Sequence, residues 1–266
     1  MRSERSRNPF ARILARPNDD RGKTLFVALF VALGCGLLVS TAAVALRPIQ
    51  AANVEQARAR QMLAMLEGVP GIGEILAQSA VELLVVDLDR GIVDPEREPA
   101  SFDQSAAADD PATSTELSRA EDLAGIGRRE NHALVHLLTD PAGEIALLVL
   151  PVRGTGYQST IRAYLALEGD LSTVAAFAVY EQGETAGLGA RVAEPSFTGQ
   201  WPGKAIFEDG EVMIDVVPSG ASGPYEVDGI SGATVTSYAV ADMLLFWMGE
   251  RGFGPFLDNL RNGTAR

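Results

Sequence analysis

A ten-residue segment near the C-terminal end, residues 228–237 (DGISGATVTS), carries four hydroxyl side chains among small neighbours. Small neighbours leave space around a hydroxyl oxygen and the surrounding backbone amides, so a large partner or a modifying enzyme can approach closely. Thr234, which follows Gly232 and Ala233, is therefore predicted to be an accessible acceptor. The alternative interpretation is structural: a glycine-containing turn followed by a helix that begins at 234–237 and is capped by one of these hydroxyls.

Two other glycine-containing segments are candidates for close approach to a ligand, residues 184–189 (ETAGLG) and 154–157 (GTGY). Each also has a structural interpretation, an ordinary strand-to-loop connection for the first and a simple turn for the second. The second is not a dinucleotide fingerprint, because the third glycine and the β-α-β setting are missing.

The N-terminal part of the chain is predicted to cross a membrane. Residues 24–46 (TLFVALFVALGCGLLVSTAAVAL) contain no charged side chain, and 23 residues at about 1.5 Å each span a hydrocarbon core of roughly 30 Å. A cleavable signal peptide is the alternative, but the apolar region of such a peptide is shorter, about 7 to 15 residues. We therefore predict a retained transmembrane helix.

Charge predicts how this helix is oriented. Residues 1–23 hold seven basic and three acidic side chains, a net +4, which leaves −17 for the rest of a chain whose total is −13. Basic residues beside a membrane span stay in the cytoplasm. The expectation is a cytoplasmic basic tail at 1–23 and an acidic domain on the periplasmic face of a bacterial inner membrane. Such an acidic domain also excludes nucleic acid as a partner, since phosphates require a basic surface.

The remaining chain divides by composition into three parts. Residues 47–93 are predicted to hold a juxtamembrane helix at 49–67 and the start of the outer domain, where 81–88 is a strand or a buried edge. Residues 94–122 are acidic and rich in Pro, Ser and Ala, and are predicted to be a mobile surface insertion without a core. Residues 123–262 form the main domain.

Within the main domain, short apolar runs predict strands at 144–152, 173–180 and 210–217, and a helix at 237–248. Residues 160–168 are predicted to begin as a helical turn. Strands and helices mixed without a β-α-β rhythm predict an α+β fold on an antiparallel sheet.

Metal chemistry is not predicted. The single cysteine, Cys35, lies in the middle of the apolar segment and is interpreted as a packing residue, with a ligand to a metal centre shared with a partner protein as the alternative. His132 and His136 are too few for a zinc site and are interpreted as an ordinary pair at the solvent edge.

The candidate segments resemble a known set of motifs. Residues 228–234 resemble the flavinylation motif, in which a transferase joins FMN through its phosphate to the last threonine of Asp-Gly-x-Ser-Gly-Ala-Thr. Residues 184–189 resemble the Glu-Thr-Pro-Gly-Leu-Gly loop of flavinylated subunits, with Ala186 in place of Pro, and residues 154–157 resemble its Gly-x-Gly turn. With YLALE at 164–168, WPGK at 201–204 and GFGPFL at 252–257, most of 24–262 resembles the NqrC family, the flavinylated subunits of the Na⁺-translocating NADH:quinone oxidoreductase.

The resemblance implies a function and a site. It implies a membrane-anchored electron-transfer subunit, without a complete activity of its own, that passes electrons from NADH towards ubiquinone and is matured by a flavin transferase. The implied partners are the other membrane subunits and membrane lipid. It implies FMN bound covalently at Thr234, and a binding site that comprises Asp228, Ser231, Gly232, Ala233, Thr236, Glu184, Thr185, Leu188, Gly189, Gly156 and Tyr157. Two alternatives stay open: the flavinylated RnfG subunit of an Rnf-type ferredoxin:NAD⁺ oxidoreductase, and a flavin-binding assembly or sensor module.

Overall fold

A computed structural model describes the protein at residues 13, 16–17, 19–67 and 80–265. It divides into two compact units at residue 57. The helices are α1 (Arg21–Glu67), α2 (Gln104–Asp109), α3 (Pro195–Thr198), α4 (Thr234–Met248) and α5 (Gly254–Arg261). The strands are β1 (Ala80–Asp87), β2 (Ile92–Val93), β3 (Ser114–Glu116), β4 (Arg128–Glu130), β5 (His132–Thr139), β6 (Ile145–Thr155), β7 (Thr160–Glu168), β8 (Val174–Glu181), β9 (Phe207–Glu208), β10 (Glu211–Val212), β11 (Asp215–Val217) and β12 (Glu226–Asp228).

The predicted apolar helix is confirmed, and it is longer than expected. Its portion Arg21–Leu46 has a mean hydropathy of 2.4 and the length needed to cross a membrane. Asp20 precedes the helix, and its Oδ1 accepts a hydrogen bond from the Lys23 N–H at 2.8 Å. Residues 49–67 are helical as predicted, but they do not form a separate juxtamembrane helix, because α1 continues through Pro48 without a break.

The domain that follows α1 is built on one six-stranded sheet with the order β2-β1-β5-β6-β7-β8, antiparallel throughout. The predicted α+β class is thus confirmed. The main core joins one face of this sheet to α4 and α5, and its members include Val135, Leu150, Leu165, Met243, Trp247 and Phe256. Because α4 packs on β6, the start of α4 is held beside the turn that follows β6.

Two strands differ from the sequence expectation. Residues 160–168 do not begin as a helical turn but form β7, in which Ile161, Ala163 and Leu165 alternate inward. Strand β6 does not end near Pro151 but continues to Thr155. Proline is tolerated there because β5 pairs with β6 only as far as Val149, so Pro151 lies beyond the section bonded on both sides.

The acidic segment 94–122 is more structured than predicted. It contains α2 and β3, and Ala107, Ala108 and Ser114 are buried. The expectation of a mobile insertion without a core is therefore wrong. Side-chain contacts with two strands stabilise it: Gln104 accepts from the Leu134 N–H on β5 and donates to Glu130 on β4.

The region 210–217, expected to be one strand, contains two short strands, β10 and β11. Strand β11 pairs in parallel with β12. The last residue of β12 is Asp228, so this small sheet fixes the beginning of the candidate attachment segment. The run 81–88, expected to be a strand or a buried edge, forms most of β1, and residues 68–79 lie outside the described residues.

The two histidines lie on β5 and are half-buried. His132 Nε2 lies 3.1 Å from Asp94 Oδ2, and burial lowers the pKa of His136. His136 is thus more buried than expected for a residue at the solvent edge.

Candidate functional site

The attachment segment is a short loop between β12 and α4 that is anchored at both ends. At its start the Gly229 N–H donates to the Val217 carbonyl at 2.7 Å. At its end the Ser237 hydroxyl accepts from the Ile230 N–H and donates to the Ala233 carbonyl, both at 2.9 Å. The loop is therefore closed on the first turn of α4.

Helix α4 begins at Thr234, as the structural interpretation of this segment predicted, but no hydroxyl caps it. The residue at the N-cap position is Ala233, which has no polar side chain, and Ser237 bonds back into the loop instead. First-turn N–H groups of a helix have no partner within the helix, and with the helix dipole they favour an anion. The N-terminus of α4 thus offers an uncapped, electropositive end.

The four hydroxyls of the segment differ in access. Thr236 and Ser237 are each only 2% exposed, and both are hydrogen-bonded inside the domain. Thr234 and Ser231 are exposed. Between them Gly232 has φ +81°, a conformation that L side chains rarely adopt.

A buried carboxylate joins the three candidate segments. Glu184 Oε1 accepts from the Gln158 N–H (3.0 Å), the Ser159 N–H (2.9 Å) and the Ser159 hydroxyl (2.9 Å). Its Oε2 accepts from the Tyr157 N–H (3.2 Å) and the Thr236 hydroxyl (2.8 Å). The turn after β6, the loop after β8 and the first turn of α4 therefore meet at one side chain.

Hydrogen bonds keep this carboxylate ionised. Burial by itself raises the pKa of Glu184, but the bonds from the Gln158 N–H, the Thr236 hydroxyl and Ser159 outweigh burial and lower the pKa below its usual range. Glu184 was expected to bind cofactor from the family resemblance. That role stays a prediction, and the structure shows Glu184 as a buried acceptor that joins three segments of the site.

Two glycines leave the space that Glu184 occupies. A Cβ at Gly156 would lie 2.7 Å from Glu184 Oε1, and a Cβ at Gly189 would lie 2.7 Å from both Glu184 Oε2 and the Thr236 hydroxyl. These glycines therefore leave room for the carboxylate, and the close approach to a ligand that the sequence suggested stays a prediction.

Replacing Gly189 by alanine should therefore destabilise the domain. We expect Gly189→Ala to lower the free energy of unfolding by about 2 kcal/mol, because the methyl group displaces hydrogen-bonded polar atoms. Urea denaturation followed by circular dichroism measures this. Gly187→Ala is the control: Gly187 has φ +76° but open space around it, so strain alone should cost about 1 kcal/mol. Equal losses for the two variants would contradict the packing explanation.

Several apolar side chains on the three segments face solvent. Tyr157 is 66% exposed, Leu188 46% and Val235 56%. Leu188 reaches the attachment loop, since its Cδ2 lies 3.4 Å from the Cβ position of Gly232. Thr185 is exposed as well, and its carbonyl accepts from the N–H groups of Leu188 and Ala190.

Asp228 has a structural position at the start of the loop. Its Oδ1 accepts from the Ala221 N–H at 2.7 Å. Its backbone N–H donates to Gln200 Oε1 at 3.0 Å, and its carbonyl accepts from Gln200 Nε2 at 3.3 Å. Gln200 thus bonds the Asp228 backbone as a neighbouring strand would.

Gln200 and Ser159 are the residues of the site that sequence reasoning missed. Gln200 lies 28 positions before its partner, and Ser159 lies 25 positions before Glu184. Neither has a local signal of its own. The polar run after Tyr157 could only have suggested a turn.

The segments brought together here coincide with a recognised domain. The family model described as FMN-binding domain matches residues 156–248, a range that contains the end of the turn at 154–157, the loop at 184–189 and the attachment segment. Residues 156–248 therefore belong to an FMN-binding domain.

Comparison with whole proteins is more specific. The chain is 42% identical over 254 residues to NqrC of the Na⁺-translocating NADH-quinone reductase of Pseudomonas aeruginosa, covering 91% of this chain and 97% of that one. It is 40% identical over 256 residues to NqrC of Vibrio alginolyticus, covering 94% and 99%. The crystal structure of NqrC from Shewanella oneidensis superposes with a TM-score of 0.68 at 34% identity, covering 76% of this chain and 95% of that one. The chain belongs to the NqrC family of Na⁺-translocating NADH-quinone reductase subunits.

Proposed function

We propose that this chain is the membrane-anchored electron carrier of a Na⁺-translocating NADH:quinone oxidoreductase, with FMN joined through its phosphate to the Thr234 hydroxyl. The observation that supports the proposal most strongly is the difference in solvent exposure among neighbouring hydroxyls. Thr234 is exposed at the first position of α4, whereas Thr236 and Ser237 are buried and bonded.

The residues around Thr234 fit a phosphate ester. The uncapped N-terminus of a 15-residue helix supplies N–H groups and a positive dipole end to a phosphate. Gly232 and Ala233 keep side-chain bulk away from the ester. Thr185, Leu188 and Tyr157 lie on the two segments joined to α4 through Glu184, and they would supply polar and apolar contacts to the flavin.

The cofactor and the protein would have different roles at this site. When bound, FMN supplies the one-electron chemistry. The chain holds the flavin at a fixed position through Thr234, and α4 and the loop at 184–189 set its surroundings. No side chain need act as general acid or base, which fits a subunit that carries electrons while NADH oxidation and quinone reduction occur on other chains.

Helix α1 would hold this domain at the membrane. The net +4 of residues 1–23 favours a cytoplasmic N-terminus and a periplasmic FMN domain. The partners would be the other membrane subunits of the complex, the surrounding lipid and, during maturation, a flavin transferase. The RnfG alternative is disfavoured by the extent of the match to NqrC.

Co-expression with a flavin transferase tests the proposal. On a denaturing gel viewed under ultraviolet light, the full-length chain should give a fluorescent band only when the transferase is present, because a covalent flavin survives denaturation. A dark band in the presence of an active transferase would refute the carrier role and favour an assembly or sensor module. A known flavinylated protein in the same cells serves as the positive control.

A further inference from the structure

Glu184 stands out among the buried charged residues because its charge is balanced by hydrogen-bond donors alone. The residue is 8% exposed, and it forms no salt bridge with the described residues, in contrast to the buried Arg129 and Glu130. A carboxylate can only accept hydrogen bonds, and all five of its partners are donors. The position is therefore specific for an ionised acid.

One of these bonds sets the rotation of the first turn of α4. The Thr236 hydroxyl donates to Glu184 Oε2 at 2.8 Å and is buried. Successive residues of an α-helix are about 100° apart, so residues two positions apart are separated by about 200°. When Thr236 points inward to Glu184, Thr234 must point outward.

The same carboxylate connects this turn to the rest of the site. Its Oε1 binds Gln158 and Ser159, and the Ser159 hydroxyl also accepts from the Gly183 N–H at 2.8 Å. The first turn of α4 is thus fixed against the β6–β7 turn and the end of β8 together.

Resting on the proposed function, we propose that Glu184 is a positioning residue for flavin attachment. It holds Thr236 inward and thereby presents Thr234 as the hydroxyl that the flavin transferase uses. Glu184 does not touch the transferred phosphate. It acts through Thr236 and the first turn of α4.

The attachment step itself balances without any redox change. A phosphoanhydride transfers its phosphorus to an alcohol far more readily than a phosphate monoester does. The donor is therefore a flavin dinucleotide. The Thr234 oxygen bonds to the phosphorus of the FMN half, the phosphoanhydride bond breaks, and AMP leaves. The hydroxyl proton passes to a base of the transferase or to solvent.

The test is the rate of flavin attachment to the full-length apo chain in detergent, with purified transferase, Mg²⁺ and flavin dinucleotide, followed by in-gel fluorescence. Glu184→Gln places an amide NH₂ against N–H and O–H donors and should slow attachment by about tenfold or more, since loss of one bond to a charged group corresponds to roughly that ratio. Glu250→Gln, at an exposed position, is the matched control and should react like the natural chain. Assays are run at a temperature where circular dichroism shows every variant folded.

A second pair of variants tests the proposal even if Glu184→Gln is unstable. Thr236→Val keeps the shape of the side chain but removes the donor, and should slow attachment at Thr234. Thr236→Ser keeps the donor and should restore the rate. Peptide mass mapping locates the flavin and should find it at Thr234 in the natural chain.

A pH profile separates positioning by the charge from a general loss of structure. The folded-state pKa of Glu184 is lowered, so its stabilising contribution is complete above the unfolded pKa and is lost as the pH falls through the folded pKa. The gap in melting temperature between the natural chain and Glu184→Gln should therefore be constant near neutral pH and shrink below about 4.5. A gap that stays constant into strong acid would contradict an ionised Glu184.

These measurements distinguish failure of the role of Glu184 from failure of the proposed function. If the natural chain takes up no flavin, the proposed function fails. If the natural chain is labelled, and folded Glu184→Gln and Thr236→Val are labelled at the same rate, only the role of Glu184 is refuted.

Discussion

Replacing Thr234 by alanine is expected to abolish the covalent flavin while leaving the fold intact. Thr234 is exposed at the first position of α4, and the substitution removes one oxygen and one methyl group from the surface. Such surface changes usually alter the free energy of unfolding by less than about 0.5 kcal/mol. The fluorescent band on a denaturing gel should fall to background, and the melting temperature of the apo chain should be nearly unchanged.

Two variants make this result specific. Thr234→Ser retains a hydroxyl and should be labelled at least in part, whereas Thr264→Ala changes an exposed threonine outside the site and should be labelled fully. Fluorescence that persists in Thr234→Ala would mean that a different side chain carries the flavin. Ser231, the other exposed hydroxyl of the segment, would then be the first candidate.

Replacing Trp247 by alanine is expected to have the largest effect on stability. Trp247 is fully buried, its indole lies 5.4 Å from the Phe253 ring between centroids, and its Nε1 donates to the Arg153 carbonyl at 2.7 Å. Truncation of a buried tryptophan costs about 3 to 5 kcal/mol, a large part of a typical stability of about 5 to 15 kcal/mol. Urea denaturation of the apo chain, followed by circular dichroism, measures the loss.

The same contact links stability to the site. Arg153 lies near the end of β6, and Trp247 lies on the helix that begins at Thr234, so this bond holds α4 to β6. Trp247→Phe keeps most of the ring and should cost less, about 1 to 3 kcal/mol for the Arg153 carbonyl left without its donor. Leu123→Ala, at a side chain 55% exposed, should cost far less than either. A loss in Trp247→Ala no larger than in Leu123→Ala would contradict its place in the core.

The fold could be predicted from sequence where local pattern and tertiary structure agree. The apolar run at 24–46, the β-branched run at 173–180 and the helix at 237–248 carry strong local signals, and each forms the predicted element. The prediction for residues 160–168 was wrong because the run TIRAYLALE combines an alternating apolar pattern with residues that favour helices. Pairing with β6 on one side and β8 on the other decided in favour of the strand.

Order in the acidic segment could not be predicted for a different reason. Its composition suggests a chain that cannot bury enough apolar surface, and that inference ignores polar contacts with neighbouring strands. Gln104 bonds to Leu134 and Glu130, and the Arg128 side chain bonds to Ser114. Such contacts join residues 14 to 30 positions apart, and composition does not show them.

The candidate site was predictable in its segments but not in its internal roles. Motif resemblance identified the three segments that the structure brings together. It could not assign the role of Glu184, because that role depends on Thr236, which is 52 positions away. Nor could it find Gln200, whose function is to bond the backbone of Asp228.

Intact-mass spectrometry of the full-length chain, purified in detergent from cells that contain the flavin transferase, tests the central claim most directly. We expect a single species heavier than the polypeptide by one FMN less one water, with the added mass on the peptide that contains Thr234. Only the unmodified mass, from cells whose transferase labels a known substrate, would contradict covalent attachment of the flavin.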